Sequence, residues 1–297
     1  MILLGNLYEI KNGVVQWNGY PIPRADPATF QHLGGSWGRD ERHVFVHNKV
    51  KKIDLATFQY LNPVFVKDAN YAYDWEGTIK GVDAKTFEVL DPGIRVDEKL
   101  TTKVWACGYA RDCNAVYFHD QMWGRASAVR GADPATFVSL RNGYGIDSKS
   151  VWGGGLRLPK ADPKTWVYLG RGWSMDCERI YCGGSEAPGI DRERFTVVAA
   201  PTIALYATDC KRFFEDHRPI EEQEFWQKLS ENFSSFEKWF RVAYEKIRNT
   251  CTTCGGSGDC VCKRKGHTDT SSCTHCSGSG KCRVCDGAGH KQPRRHI

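Results

Sequence analysis

Apolar and polar positions alternate along most of the chain in two phrases that keep a common register. The first is a small or apolar residue, Asp, two variable positions, Thr, an aromatic, two more variable positions and Leu. It reads ADPATFQHL at 25–33, IDLATFQYL at 53–61, VDAKTFEVL at 82–90, ADPATFVSL at 132–140, ADPKTWVYL at 161–169 and, weakened, IDRERFTVV at 190–198. The second is an aromatic, two positions, Asp, three positions and an apolar pair. It reads WGRDERHVF at 37–45, FVKDANYAY at 65–73, YARDCNAVY at 109–117, YGIDSKSVW at 144–152, WSMDCERIY at 173–181 and YATDCKRFF at 206–214. The first-phrase aspartates (Asp26, Asp54, Asp83, Asp133, Asp162, Asp191) are spaced by 28, 29, 50, 29 and 29 residues. The period is therefore about 29, with one insertion of about 21 between the third and fourth copies. A truncated extra copy ending at Asp97 accounts for that insertion.

Short runs rich in β-branched and aromatic residues, such as HVFV and AVYF, predict strands after each second Asp. Polar or glycine turns follow at 47–48, 76–77 and 153–154, then a second short strand. The Asp-x-x-Thr-Phe phrase predicts a turn of helix, with Asp accepting backbone N–H groups and Phe docking beneath it. One such unit cannot bury its own aromatics, so neighbouring units have to pack together. The fold class expected is mainly β, a ~29-residue β-repeat array, with solenoid and propeller-like closure both open.

From 219 to 249 the period changes. Phe225, Leu229, Phe233, Phe236, Phe240, Ala243 and Ile247 lie on one face of a helix. Pro219 with Glu221 and Glu222 suits a helix start, and Ser234 to Glu237 reads as a capping box that divides the segment in two. This stripe is expected to cap the open end of the array, with a partner-binding face as the alternative.

Composition adds a boundary. The 297 residues carry a formal net charge of +6, yet residues 251–297 hold eight Lys and Arg against three Asp, and the preceding 250 hold 33 against 32. The same tail holds eight of the thirteen cysteines. The expected parts are a β-repeat domain at 1–216, a helical connector at 217–249 and a cysteine-rich module at 250–297. Aromatics at 12% exclude a disordered chain, and no apolar run reaches the ~18 residues of a membrane span. The N-terminal MILLGNLYEIKNG lacks a basic leader, which predicts a cytoplasmic protein.

Chemistry in the body reads as scaffold. A catalytic carboxylate is needed once, whereas the paired Asp recur in every unit, so turn and cap duty is expected of them. Cys107, Cys113, Cys177, Cys182 and Cys210 share no ligand spacing, and three of them follow a repeat Asp as small, semi-buried residues would. No Ser-His-Asp order, P-loop, dinucleotide fingerprint or H-E-x-x-H is present. The two phrases together resemble the DKNYY family, bacterial repeat proteins built on tyrosine-rich strands and phrases of the K-D-x-x-x-V-Y and A-D-x-x-T-F kind. The resemblance spans about residues 14–216 and is carried best by the copies at 65–90 and 109–140. It implies a binding or immunity-like role beside bacterial toxin systems and no defined activity.

The tail is itself duplicated, as CTTCGGSGDCVCKRKGH at 251–267 and CTHCSGSGKCRVCDGAGH at 273–290. Cysteines two residues apart chelate one metal from a tight knuckle, and eight thiolates make two closed tetrahedral sites. Two Zn2+ ions are therefore expected on Cys251, Cys254, Cys260, Cys262, Cys273, Cys276, Cys282 and Cys285. Segments 251–258, 273–280 and 282–289 resemble the C-x-x-C-x-G-x-G motif of the DnaJ-type zinc-binding domain, which implies two zincs and the holding of unfolded clients. The second motif departs from the family: Cys260-Val261-Cys262 is one residue short and is followed by Lys263, Arg264 and Lys265. There is no His-Pro-Asp tripeptide, hence no J domain. The family's nested scheme would pair Cys251, Cys254, Cys282 and Cys285 on one ion and the remaining four on the other; a local scheme, one ion per half, stays open. His267, His275 and His290 are expected outside the ligand set.

The function expected is that of a non-enzymatic zinc-binding protein–protein interaction module, neutralising a toxin or holding a client as an adaptor. The alternative is a nucleic-acid-binding regulator acting through the basic tail, on KRK at 263–265 and KQPRR at 291–295, although that tail has no aromatic to stack a base. No membrane partner is expected. Candidate partner contacts are Trp105 and Tyr109 in the insertion at about 91–111, and Lys263, Arg264 and Lys265 in the tail. Trp75, Trp123 and Trp152 are further anchors, unless they pack neighbouring units.

Overall fold

The computed structural model describes residues 8–96, 104–122, 124–198, 205–232 and 241. These residues are mainly β, forming seven small antiparallel sheets, one short 3-10 turn (Arg141–Gly143) and one α-helix, α1 (Glu222–Asn232). The chain divides into two compact units, 1–186 with the first six sheets and 187–297 with the seventh sheet and α1. No described helix is long and apolar enough to cross a membrane.

Each sheet is a meander of strands two to five residues long, apart from the eight-residue Val104–Arg111. The second sheet is representative, with Gln31–Gly34, Trp37–Arg39, Val44–Val46 and Lys49–Lys51 hydrogen-bonded in chain order. Such strands follow from the sequence, because short β-branched and aromatic runs are cut by residues that accept a positive φ. In the first sheet Asn12-Gly13 and Asn18-Gly19 all have positive φ and close two-residue hairpins between strands of two to four residues. The Asp-x-x-Thr-Phe phrase forms a single hydrogen-bonded turn: Thr29 N–H donates to Asp26 O at 3.2 Å, and in two copies the aromatic N–H also closes the helical i to i+4 bond, Phe137 to Asp133 O and Trp166 to Asp162 O, both at 3.0 Å.

Within residues 1–186 the core runs from sheet to sheet. The aromatic three places before the second Asp reaches into the next sheet: Tyr8, at the matching place in the first sheet, donates to Ser36 O at 2.8 Å, Trp37 Nε1 to Val64 O at 3.4 Å, and Tyr109 to Gly143 O at 3.0 Å. Apolar clusters are shared in the same way, one joining Tyr8, Val15 and Trp17 to Phe45, another joining Tyr144 and Val151 to Trp166 and Tyr181. In two copies the repeated Phe docks on a glycine, a contact that the phrase alone did not disclose. A side chain at Gly38 would collide with the ring of Phe30, and one at Gly145 with that of Phe137.

The insertion becomes part of the fourth sheet. Strand Ile94–Val96 pairs with the first half of Val104–Arg111, Ile94 opposite Ala106, while Glu88–Val89 pairs with the second half. Asp97 lies outside the described residues.

In the second unit α1 buries Phe225 and Leu229 against Tyr206 and Phe213 of the seventh sheet. Glu215 receives Lys228 of α1 at 2.8 Å and Arg218 at 2.6 Å. Pro219 does not open the helix; it lies in strand Arg218–Ile220, opposite Phe214. Of the rest of the expected helical segment only Arg241, outside the apolar face, is described, its guanidinium 4.4 Å from the centre of the Trp226 ring, while Phe233, Phe236, Phe240, Ala243 and Ile247 lie outside the described residues.

Candidate functional site

The carboxylates of the body are used up by its own backbone. In all six copies the first Asp donates its N–H to the carboxylate of the second, across Asp26–Asp40, Asp54–Asp68, Asp83–Asp112, Asp133–Asp147, Asp162–Asp176 and Asp191–Asp209, at 2.7–3.2 Å. The other oxygen of each second Asp accepts the N–H groups two and three residues on, as Asp176 does from Glu178 and Arg179 at 2.8 and 2.6 Å. Three of them also accept a tyrosine hydroxyl: Tyr73 on Asp68, Tyr117 on Asp112 and Tyr181 on Asp176. All six second aspartates are buried. Burial alone would raise the pKa of Asp40, Asp68 and Asp176, but their hydrogen-bond donors, the Tyr73 hydroxyl foremost at Asp68 and backbone N–H groups at the other two, hold all three below the usual carboxylate range. Five of the six first aspartates, from Asp26 to Asp162, cap their own turns; Asp83 accepts Lys85 N–H and the Thr86 hydroxyl, both at 3.0 Å. Saturated acceptors of this kind are poor general bases, since a proton gained there displaces existing donors.

Two further carboxylates carry the same duty outside the repeated phrases. Asp91 accepts Gly93 N–H through Oδ1, and Tyr109 N–H and the Ser139 hydroxyl through Oδ2. Asn62, at the matching place one copy earlier, accepts Val64 and Phe65 N–H and donates to Asp91 O. Their signal is the tripeptide Leu-Asn-Pro at 61–63 and Leu-Asp-Pro at 90–92, eight places after Asp54 and Asp83. Asp74 accepts Glu76, Gly77 and Ala126 N–H groups, and its Oδ2 lies 3.7 Å from Nδ1 of His119. Burial would raise the Asp74 pKa, but His119 and the N–H donors hold it low. The imidazole is closed in by Phe65 and Trp75. Buried on both sides, this pair faces no substrate, and it joins the third and fourth sheets.

The cysteines of the body form no ligand set; among the described residues no three His, Cys, Asp or Glu side chains converge on a metal position. Burial pushes the Cys107 thiol up to about 12 and the Cys182 thiol up to about 11, which keeps both protonated. Cys113 and Cys177 are exposed, not semi-buried, with their sulfurs 3.6 and 3.9 Å from Asp83 and Asp162.

The expected contact residues separate. Tyr109 has no exposed surface; its hydroxyl donates to Gly143 O and accepts Gly155 N–H, so it is a core tie between sheets and offers nothing to a partner. Trp75 and Trp152 are buried likewise, at 7% and 1% exposure, and pack neighbouring sheets. Trp105 lies in Val104–Arg111 opposite Arg95. Trp123, the eight tail cysteines and Lys263, Arg264 and Lys265 lie outside the described residues. The insertion is not an independent loop, because Asp91 and Tyr109 fasten it to the fifth sheet.

Residues 8–122, about two fifths of the chain, match the DKNYY family. The same bonded Asp pair continues beyond that match, at 133–147, 162–176 and 191–209. No curated protein and no solved structure matches the chain.

Proposed function

We propose that this chain is a non-enzymatic interaction protein that presents a rigid β scaffold and a zinc-binding tail to a protein partner. The observation that carries the reading is the spacing of the tail: four close cysteine pairs between 251 and 285, with glycines after each C-x-x-C. That donor set is all thiol, the chemistry that selects zinc in closed four-coordinate sites and leaves no open position for catalysis. The scaffold supports it, because the carboxylates of the repeats are consumed by turns and its buried thiols stay protonated. The partner is a toxin to be neutralised or an unfolded client to be held, the two roles that the likeness of body and tail brings into view. A second reading, a nucleic-acid-binding regulator, has Lys263, Arg264 and Lys265 in its favour.

Metal content tests the proposal directly. Freshly reduced full-length protein should carry two zincs, and Cys→Ser at Cys251 and Cys254 should remove one while leaving the β signal in circular dichroism unchanged. One zinc or none in the parent protein would overturn it.

A further inference from the structure

Between the last strand of four of the first five sheets and the following Asp-x-x-Thr turn lies a two-residue turn, Pro23-Arg24, Lys80-Gly81, Arg130-Gly131 and Pro159-Lys160; in the second sheet Lys52 holds the matching place, directly after the strand Lys49–Lys51. Every one of them carries an exposed cation, although its place shifts. Where glycine holds the second place, at Gly81 and Gly131, φ is +81° and +85° and the cation comes first. Where proline holds the first place, the cation comes second and itself takes the left-handed conformation, φ +68° at Arg24 and +58° at Lys160. Long side chains rarely sit there and glycine would be easier, so local backbone preference does not account for them. Pro188-Gly189, the matching turn in the second unit, has the easier pair and no cation.

Charge is segregated to the same segments. Residues 20–29, 49–57, 78–86, 127–136 and 156–165 together hold ten Lys and Arg against five Asp. The first 250 residues as a whole hold 33 against 32, so the body outside these segments is net acidic. The five aspartates do not neutralise the row. Asp26, Asp54, Asp83, Asp133 and Asp162 turn their carboxylates to N–H groups two residues on. None of Arg24, Lys52, Lys80, Arg130 or Lys160 has a carboxylate within ion-pair distance among the described residues.

We propose that this row of one cation per sheet is the docking surface for the acidic face of a protein partner. Three observations favour a protein over a nucleic acid. The aspartates interleaved with the cations would repel a uniformly charged backbone, whereas acidic side chains at selected positions can meet the cations and avoid them. The body is nearly neutral overall, unlike a domain that gathers nucleic acid by its field. Tyr20 is the single exposed aromatic of the described segments in the row, too little to stack a strand of bases. The inference rests on the protein-interaction reading above and is independent of its zinc sites.

The test uses the full chain and a variant carrying Arg24→Asn, Lys52→Gln, Lys80→Gln, Arg130→Gln and Lys160→Asn, Asn being chosen where φ is positive. Labelled poly-L-glutamate serves as the acidic-protein probe and a short DNA duplex as the phosphate probe, followed by fluorescence anisotropy. The parent chain should bind poly-L-glutamate at about 0.05 M salt and release it near about 0.3 M. The variant should bind it about tenfold or more weakly, with DNA affinity within about twofold and an unfolding temperature within about 2 °C of the parent. Equal poly-L-glutamate binding by both proteins, or none by the parent, overturns the proposal. A larger loss for DNA than for poly-L-glutamate makes the row a nucleic-acid surface and overturns it as well. Two zincs in a parent chain that ignores poly-L-glutamate would leave the interaction reading standing while this surface fell.

Discussion

In the fifth sheet Asp133 and Asp147 stand 14 residues apart, and in the fourth Asp83 and Asp112 stand 29 apart, yet the same N–H to carboxylate bond closes both, at 2.9 and 2.7 Å. The threonine of each phrase repeats the likeness: Thr136 accepts Ser148 N–H twelve residues on, and Thr86 accepts Cys113 N–H twenty-seven residues on. What the fourth sheet adds is a strand, Ile94–Val96, and a second closure through Asp91 to Tyr109 N–H. The repeat is thus defined by where a carboxylate meets backbone donors. The length of chain between them is free to vary, because closing a longer loop costs little extra entropy.

Acid should give the largest effect, acting through the paired aspartates of the second, third and sixth sheets, which make the same closure that both regions use. Asp40, Asp68 and Asp176 have folded-state pKa values below those of the unfolded chain. Carboxylates of this kind contribute stability that is fully present above the unfolded value of about 3.9 and is lost as pH falls through the folded value. The unfolding temperature should therefore be level from about pH 7 to 5 and fall steeply below about pH 4. A temperature that stays level down to pH 3 would show that the paired carboxylates carry little of the fold.

Single substitutions separate the regions. Asp112→Ala strands the N–H groups of Asp83, Asn114 and Ala115 and takes the nearer of two acceptors from the Tyr117 hydroxyl, leaving it Gly81 O at 3.4 Å. Asp147→Ala strands the three matching N–H groups and no hydroxyl, since Trp152 stands in the tyrosine's place. At about 1–3 kcal/mol for each buried donor left without a partner, moderated by relaxation, Asp112→Ala should cost about 3–5 kcal/mol and Asp147→Ala about 1 kcal/mol less. Urea unfolding of the two variants measures the gap; a smaller cost at Asp112 would mean that the inserted strand takes over the closure.

The sequence made the repeated part of this legible. Twelve phrases in register located the six Asp pairs and their scaffold role. The signals were short-range and recurred, so each copy reinforced the others. Asp74, Asp91 and Asn62 escaped because each bonds in a context found once or twice, where no repetition separates a cap from a solvated polar residue. Tyr109 was misread for a related reason. It stands in a segment that interrupts the period, and an interruption suggests a free loop, whereas the pairing of Ile94–Val96 with Val104–Arg111 makes the described part of the insertion extra length of the fourth sheet. Burial of an aromatic is settled by the neighbouring sheet, which the local phrase does not contain.

Tyr109→Phe sharpens the comparison at its smallest scale, because it removes one oxygen from the junction of the irregular fourth sheet with the regular fifth. That oxygen donates to Gly143 O at 3.0 Å and accepts Gly155 N–H at 3.2 Å. The ring stays, tilted against Phe118 and Phe137 with centres 4.6 and 4.9 Å away, so apolar burial is unchanged. What is lost is one net hydrogen bond, plus a glycine N–H left facing a ring, about 1–2 kcal/mol in all. The cost should appear as a shift in the urea midpoint with an unchanged slope, since the surface exposed on unfolding is the same. A contact residue for a partner would behave otherwise, with stability unaltered and binding alone reduced. A neutral midpoint for Tyr109→Phe would return the insertion to the surface and make the junction between these two sheets one of apolar packing only.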